Sequence, residues 1–185
     1  MKIKYALLIC AMVALLSACG GGGGGDWKSV TPATPVPNAA LAAGVHRLTF
    51  TALSTARLGV PILQIKIAVK YPSGLSVTTT TGGSGEIVPS SALQGNALIG
   101  RSYVFGVYSA STRTAYYTMD AVNNDFRGGQ YLSVLFNVPT GSTITPNDIY
   151  TIAFPEYRVV GIDSNNANSK IDLTGKVRTT LDTPE

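Results

Sequence analysis

Leu63-Gln64-Ile65-Lys66-Ile67-Ala68-Val69-Lys70-Tyr71 is the stretch that decides the fold class. Leu63, Ile65, Ile67, Val69 and Tyr71 occupy one phase of a period-two pattern, and Gln64, Lys66, Ala68 and Lys70 the other. Successive side chains of an extended strand point to opposite faces. The alternation therefore predicts a half-buried antiparallel strand with its lysines turned to water. Residues 130–138 repeat the pattern, with Leu132, Val134, Phe136 and Val138 predicted inward and Ser133 and Asn137 outward. Both stretches end in the same chemistry, Tyr71-Pro72-Ser73-Gly74 and Val138-Pro139-Thr140-Gly141. Proline second and glycine fourth predict a type I turn.

Outward from these two strands the same grammar continues. Leu48, Phe50 and Ala52 alternate with Thr49 and Thr51, and Leu75-Ser76-Val77 makes a short strand. Residues 101–110 and 114–119 form a hairpin around Ser111-Thr112-Arg113. Residues 149–154 and 157–162 read as strands divided by Pro155, and residues 171–178 as the last strand. Residues 78–85 read as an exposed loop and residues 163–170 as a polar one, while no helical run exceeds a turn or two. Eight or nine short antiparallel strands at this spacing predict an all-β chain folded as a β-sandwich.

Upstream, Lys2 and Lys4 precede an uncharged apolar run, residues 5–16. That is the length of a signal-peptide core and short of the ~20 residues of a spanning helix. Leu16-Ser17-Ala18-Cys19 closes the run, and six consecutive glycines, residues 20–25, follow. The closing stretch resembles the lipobox of bacterial lipoproteins. The resemblance implies cleavage between Ala18 and Cys19, a diacylglycerol on the Cys19 sulfur and acylation of the new amine. It implies a membrane anchor in the bacterial cell envelope and, with Gly20 rather than Asp after the cysteine, the outer membrane. The expected plan is a signal peptide at 1–18, a lipidated cysteine and flexible Gly/Pro-rich linker at 19–43, and the sandwich domain at 44–185. Trp27 stands in the linker without periodic partners.

Charge narrows the function classes. The 14 basic residues less Lys2 and Lys4 leave 12 against 10 acidic ones, a net of +2 after cleavage. They are scattered singly along the chain, whereas nucleic-acid binding needs clustered Lys and Arg. Only 13% of residues are charged, against a usual ~25%, which predicts binding that depends weakly on salt. Cys10 leaves with the signal and Cys19 carries the lipid, so the domain is expected to be held by its core without a disulfide.

Catalytic signatures are weak. His46 is the single histidine, and a triad or zinc site recruits histidine together with other ligands. It reads as a surface or half-buried strand residue. Asp120 and Asp125 fall in a turn-like stretch where Asp serves backbone geometry. The chain reads as non-enzymatic, with no cofactor implied. Asp163, Asn165, Asn168 and Asp172 offer oxygens that suit calcium. The loop nevertheless departs from an EF-hand, with Ala167 fifth, Asn168 in place of the sixth-position glycine and no glutamate twelfth. Turn chemistry explains the same residues, and no metal site is assigned.

Tyrosines concentrate in the middle of the chain at Tyr103, Tyr108, Tyr116, Tyr117 and Tyr131. Alternation cannot put Tyr116 and Tyr117 on one face, so at least one points away from the core. Outward aromatics serve protein- and sugar-binding faces, which makes Tyr108, Tyr116 and Tyr117 the candidate binding residues. Ordinary cross-strand pairing is the other use for such side chains.

Val69-Lys70-Tyr71-Pro72-Ser73-Gly74-Leu75-Ser76-Val77 has the shape of a cohesin strand that ends in Tyr-Asp-Pro and then Leu, but it lacks the Asp. Gly129-Gln130-Tyr131-Leu132 through Phe136-Asn137-Val138 to Gly141 has the layout of a later cohesin strand, and Asp163-Ser164-Asn165-Asn166 that of a polar connection before the last one. Together these segments resemble the cohesin fold and its relatives among carbohydrate-binding modules. The resemblance implies a nine-stranded jelly roll that binds a partner on a sheet face, without implying a dockerin as that partner. Three readings stand: a protein-binding or scaffolding module, a carbohydrate-binding module of related fold, and a structural or assembly component of the envelope.

Overall fold

The computed structural model describes residues 39–82, 85–95, 102–122, 125–163 and 165–182. The signal segment, Cys19, Trp27 and most of the linker lie outside them, as do Asn123, Asn124 and Ser164. Among the described residues there are twelve strands: β1 (Gly44–Ser54), β2 (Ile62–Lys70), β3 (Ser76–Val77), β4 (Thr80–Gly82), β5 (Gly85–Ile87), β6 (Leu93–Gln94), β7 (Ser102–Ser109), β8 (Thr114–Ala121), β9 (Gly129–Val138), β10 (Ala153–Asp163), β11 (Asn166–Asp172) and β12 (Val177–Leu181). One sheet runs β12-β1-β9-β3, with β6 also on β9, and the other runs β11-β10-β2-β8-β7-β5-β4. Every pairing is antiparallel. The chain is an all-β sandwich, as the alternation predicts, with more strands than eight or nine because several are only two or three residues long.

The two deciding stretches form the centre of the two sheets. Ile65, Val69, Leu132, Val134 and Phe136 are all fully buried in one core. Phe50 of β1 lies 6.3 Å from the ring of Tyr117 of β8, which ties one sheet to the other. Burying a side chain of this size contributes about 1.5–3 kcal/mol.

Two bulges modify the simple alternation. β10 pairs Val160 with Gln64 but Gly161 with Ile62, so Leu63 is skipped. Ile62 takes the inward place expected for Leu63, which is only half-buried. On β9, Phe50 pairs with Leu132 but Thr51 with Gln130. Tyr131 is the extra residue and is buried together with Leu132. Two residues opposite one is how a bulge re-aims a side chain. The outward phase is also better covered than expected. Ala68 is buried, and Ser133 is buried with its hydroxyl 2.9 Å from that of Thr49.

Four local expectations are corrected. Of the expected loop at 78–85, Thr80–Gly82 and Gly85 are strand instead: β4 pairs with β5 at the edge of the seven-stranded sheet. Residues 149–152 are not strand: α1 (Pro146–Tyr150), capped by Thr145, takes Ile149 and Tyr150, and the strand begins only at Ala153. Asp148 accepts from the Thr145 backbone at 2.8 Å while the Thr145 hydroxyl accepts from the Asp148 backbone, a reciprocal cap with proline in the first turn. Pro155 does not divide two strands. It sits inside β10 at a register shift, where its missing N–H removes no ladder bond. The polar loop is a short turn, because β11 already begins at Asn166.

Both proline–glycine turns close one residue later than predicted. Leu75 N–H donates to Pro72 O and Ser142 N–H to Pro139 O, which puts Gly74 and Gly141 third, at φ 89° and 79°. These are backbone conformations that favour glycine. The 101–119 hairpin forms as expected, β7 and β8 flanking a turn at Ser111-Thr112-Arg113.

Candidate binding face

β7 and β8 sit side by side and present opposite phases to core and solvent. In register, Val107 pairs with Tyr116 and Phe105 with Thr118, while Gly106 pairs with Tyr117. Tyr117 is thereby turned inward, 2% exposed, and Tyr116 outward, 48% exposed. Tyr103 and Phe105 share the outward phase at 75% and 55%. Ile87 of β5 pairs with Val107 and extends the same face. Four large apolar side chains thus stand on one side of the seven-stranded sheet.

Of the three candidate tyrosines, the structure puts only Tyr116 at the surface. Tyr108 and Tyr117 are core residues, which corrects the expectation that they line a binding face. The Tyr117 hydroxyl lies 2.9 Å from that of Tyr71, and the Tyr108 ring meets Tyr71 edge-on at 6.3 Å. Burial pushes the Tyr71 and Tyr117 hydroxyls well above the usual phenol range. The packing is tight: a Cβ added at Gly106 would sit 2.8 Å from the Tyr117 ring. Sequence reasoning missed Phe105 and left Tyr103 unassigned. The signal was present, since Tyr103 and Tyr108 have opposite parity on one strand and cannot both face out.

The other half of this face is charged. Lys66 pairs with Thr118 on one side and Arg158 on the other, and Ala68 lies between Tyr116 and Glu156. Lys66, Lys70, Glu156 and Arg158 are exposed. Buried Ala68 leaves a hollow of about 280 Å³ beside Tyr116, bounded by Lys66, Glu156 and Arg158. A second hollow of about 440 Å³, bounded by Lys70, Thr114 and Pro155, shares Tyr116 and Glu156 with the first. Singly scattered cations of the sequence are here brought onto one surface.

The remaining candidates are dispersed. His46 is half-buried on β1, its Nε2 2.8 Å from Ala42 O and its ring stacked on Phe136 at 5.6 Å. Asp120 accepts from Gln64 Nε2 at 2.6 Å across a β2–β8 pair. Asp163 accepts from the Asn165 backbone, and Asp172 from the Thr174 backbone, both at 2.9 Å. The hydroxyl and backbone of Thr174 hold the Asp172 carboxyl below the usual range. The two carboxylates serve turns at opposite ends of β11 and do not converge. Among the described residues, no three His, Cys, Asp or Glu side chains are grouped as a metal ion requires.

No protein-family model matches the chain, and none of the curated proteins does. Among solved structures, the type II cohesin A11 from Bacteroides cellulosolvens is similar in fold, with a TM-score of 0.49 and 13% sequence identity over 76% of this chain and 89% of that one.

Proposed function

We propose that this protein is a lipid-anchored, non-catalytic module of the bacterial cell envelope that takes a protein partner on the outer face of its seven-stranded sheet. The observation that carries the reading is the row of Tyr103, Phe105, Tyr116 and Ile87, all exposed and all on one face. Contiguous exposed apolar surface of this kind marks interaction sites more than a scatter of single residues does. Ile87 and Val107 intersperse the aromatics, and a mixed aromatic and aliphatic face suits protein better than the stacked aromatic platform a sugar ring prefers. The neighbouring Lys66, Lys70 and Arg158 outnumber Glu156 on the flank and leave it net positive, so the partner's complementary surface is apolar at its centre and acidic at one rim. That flank replaces the expectation of salt-insensitive binding: affinity should fall moderately as ionic strength rises.

The anchor is part of the proposal and rests on Leu16-Ser17-Ala18-Cys19. Cys19→Ser should leave an unprocessed precursor, because a hydroxyl does not form the thioether to diacylglycerol. Mass spectrometry of the mature N-terminus reads this directly, and a cut elsewhere or an unmodified Cys19 refutes it. For the face, the full chain with Phe105→Ala or Tyr116→Ala should lose retention of envelope protein while keeping the parent's circular dichroism. Retention on insoluble polysaccharide that is lost in the same variants would instead assign the face to glycan. Parent-like binding by both variants refutes the face altogether.

A further inference from the structure

β12 ends one side of the five-stranded sheet, and among the described residues no strand pairs with it besides β1. The Asp182 N–H donates to Thr49 O and the Lys176 carbonyl accepts from the Thr55 N–H, so the even-numbered residues of this segment bond to β1. Backbone groups alternate sides along an antiparallel strand, which turns those of Val177, Thr179 and Leu181 to the open edge. Of these groups the Val177 N–H is taken up by Leu173 O. The other strands at the ends of the sheets are blunted. β3 and β6 are two residues long and β4 three, and the β10–β11 ladder is broken by a register shift at Asp163. β12 pairs with β1 over five residues without a shift and holds neither proline nor glycine. An edge left in that state is a template for another strand.

The strand is also complementary to itself. Its charges are ordered, with Lys176 and Arg178 at the start and Asp182 just past the end. Antiparallel pairing with an identical strand brings opposite charges together, whereas parallel pairing sets like on like. We propose that β12 pairs antiparallel with β12 of a second copy of this chain, about a twofold axis at Thr179. That register lays Val177 on Leu181, Arg178 on Thr180 and Lys176 on Asp182 of the second copy. The hydrogen bonds match it: the two Thr179 residues exchange N–H and C=O, and each Leu181 N–H reaches the Val177 carbonyl opposite. Leu181, half-buried and packed on the core, gains an apolar neighbour. An axis at Thr180 would lay Leu181 on Thr179 instead, and an axis at Arg178 would set two arginines face to face. Asp182 is held through one oxygen by neutral donors, the Thr51 hydroxyl at 3.1 Å and the Gln130 amide at 3.4 Å, so the incoming lysine meets a carboxylate already fixed in place. The contact uses the edge of the five-stranded sheet and not the aromatic face of the other, so it stands apart from the proposed partner site. A five-residue edge is a small contact, and the dimer is accordingly weak.

Sedimentation equilibrium of the full chain in excess density-matched nonionic detergent, from about 1 µM to about 1 mM protein, tests this. A reversible dimer is expected. Thr179→Pro deletes the N–H at the axis without removing a bond to β1, and should abolish the dimer. Thr179→Val shares the loss of the hydroxyl beside Tyr131 but keeps that N–H, and should still dimerise. Lys176→Glu and Asp182→Lys should each weaken the dimer about tenfold at low salt, and the two together should restore it. If Thr179→Pro unfolds, the charge reversals decide. A parent chain that stays monomeric, or a dimer unchanged in folded Thr179→Pro, overturns the pairing. Rescue of Asp182→Lys by Arg178→Glu in place of Lys176→Glu overturns the Thr179 register, and rescue by neither overturns the pairing. A monomeric parent that retains another envelope protein, and loses it in Thr179→Pro, overturns the second copy as occupant of the edge.

Discussion

The hydroxyls of Tyr71 and Tyr117 offer the sharpest test of the packing between turn and sheet. They lie 2.9 Å apart, one donating to the other, in a core where both side chains are essentially inaccessible. Tyr117→Phe removes one hydroxyl and strands the other without water, which costs about 1–3 kcal/mol, and Tyr71→Phe costs about the same for the same reason. Tyr71→Phe/Tyr117→Phe removes both polar groups and leaves two rings of nearly unchanged shape. The double variant should cost no more than either single, so the coupling is about 1–3 kcal/mol. Urea unfolding followed by far-ultraviolet circular dichroism measures all four corners, with the slope of the transition checked for constancy. Additive losses in the double variant refute the hydroxyl pair. Partner binding is a second readout: a folded Tyr117→Phe that fails to bind would mean Tyr117 reaches the surface after all.

Three further outcomes are expected. Phe136→Ala should destabilise by about 3–5 kcal/mol as a fully buried ring; Ser133→Ala should cost about 1 kcal/mol through its contact with Thr49, and half-buried Asn137→Ala little, with equal losses in denaturant unfolding refuting the β9 register. Burial raises the hydroxyls of Tyr71, Tyr117 and Tyr131 above the ordinary value of 10.0. Since the folded value exceeds the unfolded one, their contribution is complete below about pH 10 and is lost as pH climbs toward the raised values. Phenolate absorbance of these three should therefore appear together with unfolding, and free titration near pH 10 in a folded domain would contradict their burial. Melting midpoints with calcium and with chelator should agree, since Asp163 and Asp172 already serve separate turns; a large rise with calcium would show that the loop binds it.

The sequence by itself determined what depends on nearest neighbours. Period-two runs at residues 63–71 and 130–138 dictate half-buried strands, because an extended backbone alternates its faces whatever lies around it. The opposition of Tyr116 to Tyr117 follows from the same rule. The cap at Thr145 is also legible in the order Thr145-Pro146-Asn147-Asp148, although an apolar pattern follows it. Tertiary structure decided which phase became the core. Tyr117 faces inward because β8 pairs it with Ile67, and Tyr116 outward because it pairs with Ala68. Two bulges, visible only in the ladders, turned Ile62 and Tyr131 inward. Charge shows the division most plainly. Lys66, Lys70 and Arg158, and separately Arg57 and Arg127, are isolated along the chain and adjacent in the fold. Register and sheet order are set by the burial of the whole core at once, so no local window of sequence contains that information.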